Sequence, residues 1–190
     1  MKKTILSQAY QHPLISEPEL QWIIDAHREV CFKKGEILFG HGQILNEYLI
    51  LGNGLVRSFT YDFNGEDITT DFFCDGQVVI EVLSLFQRIP LQENLQALTD
   101  CKGWLIDYDT FQRLFHSIPG LTEWGRLWMT SKLFQFKQKS IDMITLSAKE
   151  RYVQLIEERP LVIQNAPLKQ IASYLGITDT SLSRIRKDIS

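Results

Sequence analysis

Residues 168–190, LKQIASYLGITDTSLSRIRKDIS, carry the spacing of a helix-turn-helix. Ala172 stands four residues before Gly176, and Ile171, Leu175, Ile177, Leu182 and Ile185 are apolar around them. Two short helices that cross at about 90 to 120° need a small residue where they approach and a glycine at the turn that accepts positive φ. The apolar positions then bury the crossing. Thr178 stands where a hydroxyl caps the second helix, which leaves Asp179, Thr180, Ser181 and Arg184 on its first half without an evident structural task, and Lys187 a turn further on. A recognition helix presents such side chains to a major groove. An isolated A-x-x-x-G pair would read as an ordinary helical hairpin. The complete set of buried positions points instead to double-stranded DNA, with Thr178, Asp179, Thr180, Ser181, Arg184 and Lys187 as the candidate contacts. Arg184 is suited to guanine and Lys187 to the backbone.

Charge is divided along the chain. Residues 147–190 hold seven Lys or Arg against five Asp or Glu, while the net charge of the whole is −3, so a slightly basic C-terminal part follows an acidic one. That suits a DNA reader joined to a partner domain, and excludes a protein whose whole surface binds nucleic acid. A hydrophobic content of 44% over 190 residues supports one large or two small cores. Cys31, Cys74 and Cys101 are far apart and odd in number, which indicates neither a disulfide framework nor a zinc knuckle; buried thiols are expected. The first residues lack a signal-type apolar core and no run approaches 18 apolar residues, so a cytoplasmic protein without a membrane partner is expected.

Upstream, Ser16-Glu-Pro-Glu19 reads as a capping box that opens a helix with Leu20, Ile23, Ile24 and His27 on one face, His27 being a helix-surface residue. Beyond Phe32 glycines recur between short strand-like runs, EILF, YLIL, LVRSFTYDF and ITTDFF, and 96–108 supplies the last strands. Asn64-Gly65 signals a two-residue type I′ hairpin, in which both residues take positive φ. After Pro119-Gly120 the pattern is helical to Leu146. Leu127, Phe134 and Ile141 lie seven apart, the mark of a two-helix seam with a second copy, while Leu133, Phe136 and Ile144 lie on a neighbouring face; wholly intramolecular packing is the alternative. Ser147-Ala-Lys-Glu150 is a second capping box, and the helix it opens stops before Pro160. The divisions read 1–118, 119–146 and 147–190.

This order of parts resembles the Crp/Fnr superfamily of bacterial transcription regulators. The resemblance rests on K-K-G-E at 33–36, Gly54-Leu-Val-Arg57 after Tyr48-Leu-Ile, Asn64-Gly65, the Asp75-Gly76 turn, Gln96-Ala-Leu, and above all S-A-K-E-R-Y from Ser147 joined to I-A-S-Y-L-G-I-T from Ile171. The last two look like the short-tailed branch common in the Bacteroidetes lineage. The resemblance implies an α+β fold: an N-terminal cyclic-nucleotide-binding-type β-roll, jelly-roll-like, then a long dimerisation helix and a C-terminal helix-turn-helix. It also implies a homodimer on DNA, with RNA polymerase as a further partner. The wing of many relatives is not expected after the recognition helix.

Relatives that bind cyclic AMP carry Gly-Glu-Leu and, about ten positions later, Arg followed by a small polar residue. Here the segment reads Ile80-Glu81-Val82, and the Arg position falls on Leu91 with Gln92 next. A buried phosphate without a cation is poorly compensated, and Glu81 would repel it. Arg88 is the basic residue nearest the gap. Glu81, Val82, Arg88, Leu91 and Gln92 are therefore the candidate sensor residues, cyclic AMP is not expected as effector, and Glu81 reads equally as a half-exposed loop carboxylate. No cofactor is expected; Cys31 alone cannot hold an iron–sulfur cluster.

Enzyme readings find no support. His12, His27, His41 and His116 are scattered, and no nucleophile elbow, zinc-helix or phosphate-loop motif occurs. Glu157-Glu158, at a helix C-terminal end, is offset by Arg159 rather than poised as an acid/base pair. Trp22, Trp104, Trp124 and Trp128 read as core and dimer packing. The sequence thus points to a homodimeric DNA-binding regulator with a degenerate sensor; the alternative is a sensory or scaffold module that no longer reads DNA, which Asp179 keeps open because it repels phosphate.

Overall fold

The β-branched and aromatic runs between residues 28 and 107 pair into two antiparallel four-stranded sheets. In the computed structural model, which describes residues 1–189, two helices come first, α1 (Lys2–Ala9) and α2 (Glu17–Asp25). Then follow β1 (Arg28–Phe32), β2 (Ile37–Phe39), β3 (Glu47–Asn53), β4 (Val56–Tyr61), β5 (Asp67–Phe73), β6 (Val78–Val79), α3 (Val82–Gln87), β7 (Asn94–Ala97) and β8 (Cys101–Asp107). One sheet has the order β1-β8-β3-β6 and the other β2-β7-β4-β5. Leu49, Ile50, Val56, Leu95, Ala97 and Trp104, all buried, belong to one core that packs both sheets.

The turn between β4 and β5 differs from the expected type I′. Gly65 has φ 79°, but Asn64 does not have positive φ. The Gly65 N–H donates to Asp62 O and the Asp62 N–H to Glu66 O, each at 3.0 Å, so the connection is a longer loop closed by a glycine in the left-handed region. Asp62 explains the choice: its Oδ1 accepts from the N–H groups of Asn64 and Glu66 at 2.8 and 2.9 Å and fixes the longer turn.

His27 is also corrected. The helix ends at Asp25, and His27 lies past it, 3% exposed, at the head of a strand whose pattern the sequence reading did not resolve. Its Nδ1 is 2.7 Å from Ile23 O, which can only accept, so Nδ1 carries the proton and Nε2 accepts from the Tyr10 hydroxyl at 3.0 Å. With that proton spent, Tyr10 accepts from Tyr48 Oη–H at 2.6 Å. Burial pushes the imidazole down to about 4. Cys31 and Trp22 are exposed rather than packed, whereas Cys101, Trp104 and Trp124 are buried.

After α4 (Tyr108–Ser117), α5 (Pro119–Thr145) begins inside the roll's core through Leu121 and Trp124, whose indole N–H donates to Ala9 O at 2.7 Å. It then runs out of the core. Leu127, Phe134 and Ile141 are 48, 71 and 39% exposed, and Leu133, Phe136 and Ile144 are exposed on the neighbouring face at 69, 71 and 86%. Among the described residues nothing covers these apolar positions. The Ser147 box forms as read, with Ser147 N–H to Glu150 Oε2 at 2.8 Å and Glu150 N–H to Ser147 Oγ at 3.3 Å. It opens α6 (Ala148–Glu158), followed by α7 (Pro160–Asn165), α8 (Leu168–Tyr174) and α9 (Asp179–Ile189); Ser190 lies outside the described residues.

A second core joins the roll to the C-terminal helices. Leu55, Phe72 and Leu98 of the roll pack with Tyr152, Leu155, Val162, Ile171, Ala172, Leu175 and Leu182. Burying each Leu-sized side chain stabilises the docking by roughly 1.5–3 kcal/mol relative to leaving it exposed.

Candidate nucleic-acid interface and sensor site

The helix-turn-helix forms at the residues that the spacing marked. Ala172 is fully buried where α8 and α9 approach, Leu182 is buried opposite it, and Gly176 turns the chain with φ 67°. The Ile177 N–H donates to Ala172 O at 3.0 Å, closing the end of α8. Thr178 Oγ1 accepts from Ser181 N–H at 3.2 Å as the cap of α9.

Of the six candidate DNA contacts, Thr178, Asp179, Thr180, Arg184 and Lys187 are exposed, and Thr180, Arg184 and Lys187 fall on one strip of α9 opposite Leu182. Ser181 differs. It is half-buried and its hydroxyl lies 2.9 Å from Thr178 Oγ1, so it does have a structural task, in the cap. Lys169, at the start of α8, pairs with Glu66 of the roll at 2.9 Å.

The candidate sensor residues are not brought together around a ligand. Leu91 is 3% exposed in the roll's core, with backbone bonds to Gln43 and Gly42. Arg88 cannot take the missing cation's place: its Nη1–H donates to Leu45 O at 2.7 Å and to Asn46 Oδ1 at 3.2 Å, and its guanidinium faces the Tyr108 ring. Gln92 is exposed, and its carbonyl accepts from the Thr60 hydroxyl at 3.2 Å. Glu81 is the N-cap residue of α3 and Val82 its first residue. Burial, followed by the charges of Glu93 and Asp71, pushes the Glu81 carboxyl up to about 7.

Polar residues that the sequence reading missed lie on β5. The Thr70 hydroxyl is 2.6 Å from Ser58 Oγ and donates to Glu93 Oε2 at 3.1 Å. From α5, the Lys139 ammonium donates to Thr70 O at 2.7 Å and sits 4.1 Å from the centre of the Tyr174 ring. Arg159 does not turn to Glu157 and Glu158 as expected; its Nη1 donates to Asp71 Oδ1 and to Phe72 O, both at 2.9 Å. Tyr174 meets Phe72 edge to face, and the Thr69 N–H donates to Ser173 Oγ at 3.1 Å. Four consecutive residues of one strand are thus held by α5, by the end of α6 and by α8. No pattern in the sequence marks these partners, because they are brought together only by docking.

Arg57, within the Gly54-Leu-Val-Arg57 segment, anchors the same hairpin from below. Its guanidinium is 4% exposed, pairs with both Asp67 oxygens at 2.6 and 2.7 Å, donates to Gln96 Oε1 and lies 4.1 Å over the Phe59 ring. The remaining charges in the sensor region are mixed: Asp71 acts on Lys132 and Lys139 and Glu93 on Lys139, while burial lowers the pKa of both lysines. No group of three or more His, Cys, Asp or Glu among the described residues is arranged to hold a metal ion, and no helix among them is long and apolar enough to cross a membrane.

Comparison with known proteins agrees with this architecture. Residues 29–117 match the cyclic nucleotide-binding domain family. The chain is 23% identical over 184 residues to the anaerobic regulatory protein of Haemophilus influenzae, covering 90% of this chain and 70% of that one. In fold it is similar to FixK2 from Bradyrhizobium japonicum, with 19% identity, a TM-score of 0.69 and coverage of 86% and 84% of the two chains. It is equally similar to a putative transcriptional regulator of the crp/fnr family from Eubacterium rectale, with 18% identity, a TM-score of 0.69 and coverage of 93% and 86%. Residues 29–117 thus form a domain of the cyclic nucleotide-binding type, followed by a long helix and a helix-turn-helix, and in this order of parts the chain is similar in fold to these solved structures.

Proposed function

We propose that the protein is a homodimeric, DNA-binding transcription regulator in which α5 is the dimer seam and α9 the reading helix. The observation that carries this is the strip of Thr180, Arg184 and Lys187, exposed on a helix whose opposite face is locked on Ala172 and Leu182. Leu127, Phe134 and Ile141 support the dimer, since a row of uncovered apolar side chains gains from burial against a second copy. Two reading helices then bind when their separation matches adjacent major grooves, about 34 Å apart.

The sensor has diverged from cyclic-nucleotide binding. Where a cyclic phosphate would need a cation, this chain places buried Leu91, and the carboxylates of Glu81 and Glu93 oppose an anion. Selection from random duplexes tests the reading: Arg184→Ala should relax preference at one symmetric pair of base positions, a loss of about 1 to 3 kcal/mol of discrimination. Lys187→Ala should weaken all duplexes alike. An unchanged consensus for Arg184→Ala would remove Arg184 from base reading, and no enriched sequence from the unaltered protein would overturn DNA recognition itself.

A further inference from the structure

The hairpin that joins β4 to β5 faces the reading head. An open cleft of about 630 Å³ separates them, with Asp62, Glu66, Asp67 and Ile68 on one wall and Lys169, Ser173 and the 176–180 turn on the other. Two contacts bridge it at the base, the Glu66–Lys169 ion pair at 2.9 Å and the Thr69 N–H bond to Ser173 Oγ at 3.1 Å. Arg57 neutralises Asp67, which leaves Asp62 and Glu66 as the hairpin's charges on the cleft, facing Lys169 and Asp179 on the other wall. The backbone N–H groups of the turn, that of Glu66 first, lower the pKa of the Asp62 carboxyl, which favours its ionised form.

The Glu66–Lys169 pair is a poor candidate for structural glue. Its side chains are 60% and 62% exposed, and an ion pair of that exposure contributes little to stability. Its position is informative instead. The first helix of a helix-turn-helix crosses the DNA backbone while the second enters the groove, and Lys169 is the only basic residue of α8. The cation best placed to meet a phosphate is therefore occupied by a carboxylate of the roll. The first turn of α9 also lines the cleft that Asp62 and Glu66 line from the other side.

Resting on the DNA-binding reading above, we propose that the acidic 62–67 hairpin is an internal competitor for DNA phosphate. Seated on α8, it withholds Lys169 and repels the backbone beside the first turn of α9; DNA and the hairpin exclude one another at this edge of the reading head. Full affinity then requires the hairpin to release the Glu66–Lys169 contact.

The test is fluorescence anisotropy of the full chain on a mixed-sequence duplex, titrated at several salt concentrations. Glu66→Gln removes the competing charge at an exposed position. It should bind several-fold tighter at low salt and steepen the dependence of log affinity on log salt by about 0.9, the release expected from one added phosphate contact. Glu66→Gln combined with Lys169→Gln should return to the unaltered slope, because no cation remains to be freed. Asp62→Asn should tighten binding without a change of slope. Equal affinity and slope for the unaltered protein and Glu66→Gln overturns the competition while DNA binding stands. A gain that persists unchanged in the double variant also overturns it, since Lys169 would then play no part. Failure of every variant to bind any duplex overturns the DNA-binding reading, and the inference with it.

Discussion

Replacing Arg57 by methionine should lower the urea midpoint of unfolding by about 1 M. Methionine keeps an apolar stem over the Phe59 ring but removes every N–H. The Asp67 carboxylate loses bonds of 2.6 and 2.7 Å, and Gln96 Oε1 loses donors at 3.1 and 3.0 Å. Removing one partner of a fully buried ion pair costs about 3–5 kcal/mol. Arg57 meets that condition at 4% side-chain exposure, but Asp67, at 32%, does not. Water can rehydrate its outer face, which reduces the cost to about 2–3 kcal/mol. With a urea m-value of about 2–3 kcal/mol/M, the midpoint falls by about 1 M. Arg57→Met combined with Asp67→Leu should recover most of the loss, because no unpaired charge is left behind. Circular dichroism in urea gives both midpoints. A shift below about 0.3 M for Arg57→Met would match an exposed pair and refute the account of a desolvated anchor.

Phe134→Asp places a charge in the exposed apolar row of α5 and should convert a dimer to monomers; sedimentation of both proteins at tens of micromolar decides it, and a monomeric unaltered chain would count against the seam. Cyclic AMP and cyclic GMP should give no saturable heat in calorimetry, since Leu91 and a tethered Arg88 leave the phosphate without a cation; micromolar binding of either would show that another cation has taken that place. His27 should remain neutral at pH 5, seen as an unshifted imidazole resonance. Its folded value of about 4 lies below the unfolded 6.5, so the unfolded chain takes up the proton first: this contribution to stability is complete above about 6.5 and is lost as pH falls towards 4, by at most about 3 kcal/mol.

The helix-turn-helix and both capping boxes were legible because their chemistry is local: a cap, a small residue and a turn glycine act within one or two helical turns of chain. The roll was legible as punctuation, although β1 was not, since the alternation in Arg28–Phe32 follows directly on the apolar face of α2 and blurs the change of period. Asn64-Gly65 misled for a related reason. The dipeptide suits type I′, but Asp62, two positions upstream, offers its carboxylate to two backbone N–H groups and wins. His27 fell on the helical face by spacing, while the helix ended two residues short of it. Ser181 looked free until its hydroxyl was seen beside Thr178. Least legible was the set of partners on β5, because Lys139, Arg159, Ser173 and Tyr174 are separated from it by about 70 to 105 positions and meet it only across the docked interface.

That interface bears on how such a protein can be recombined. A fusion cut at Leu146 follows the secondary structure, since a helix ends there and a capped one begins. Yet a reading head transplanted at that point would arrive with Arg159 lacking Asp71, Ser173 lacking the Thr69 amide and Tyr174 lacking Phe72, while its second core would lack Leu55 and Leu98. The unit that can be exchanged between relatives is therefore discontinuous in sequence: the C-terminal helices together with the β4–β5 hairpin and the flanking Leu55 and Leu98 on which they rest. If α9 reads DNA as proposed, a chimera that carries the hairpin along with the head should keep the donor's contacts between roll and head, whereas one that leaves it behind exchanges the α9 residues alone.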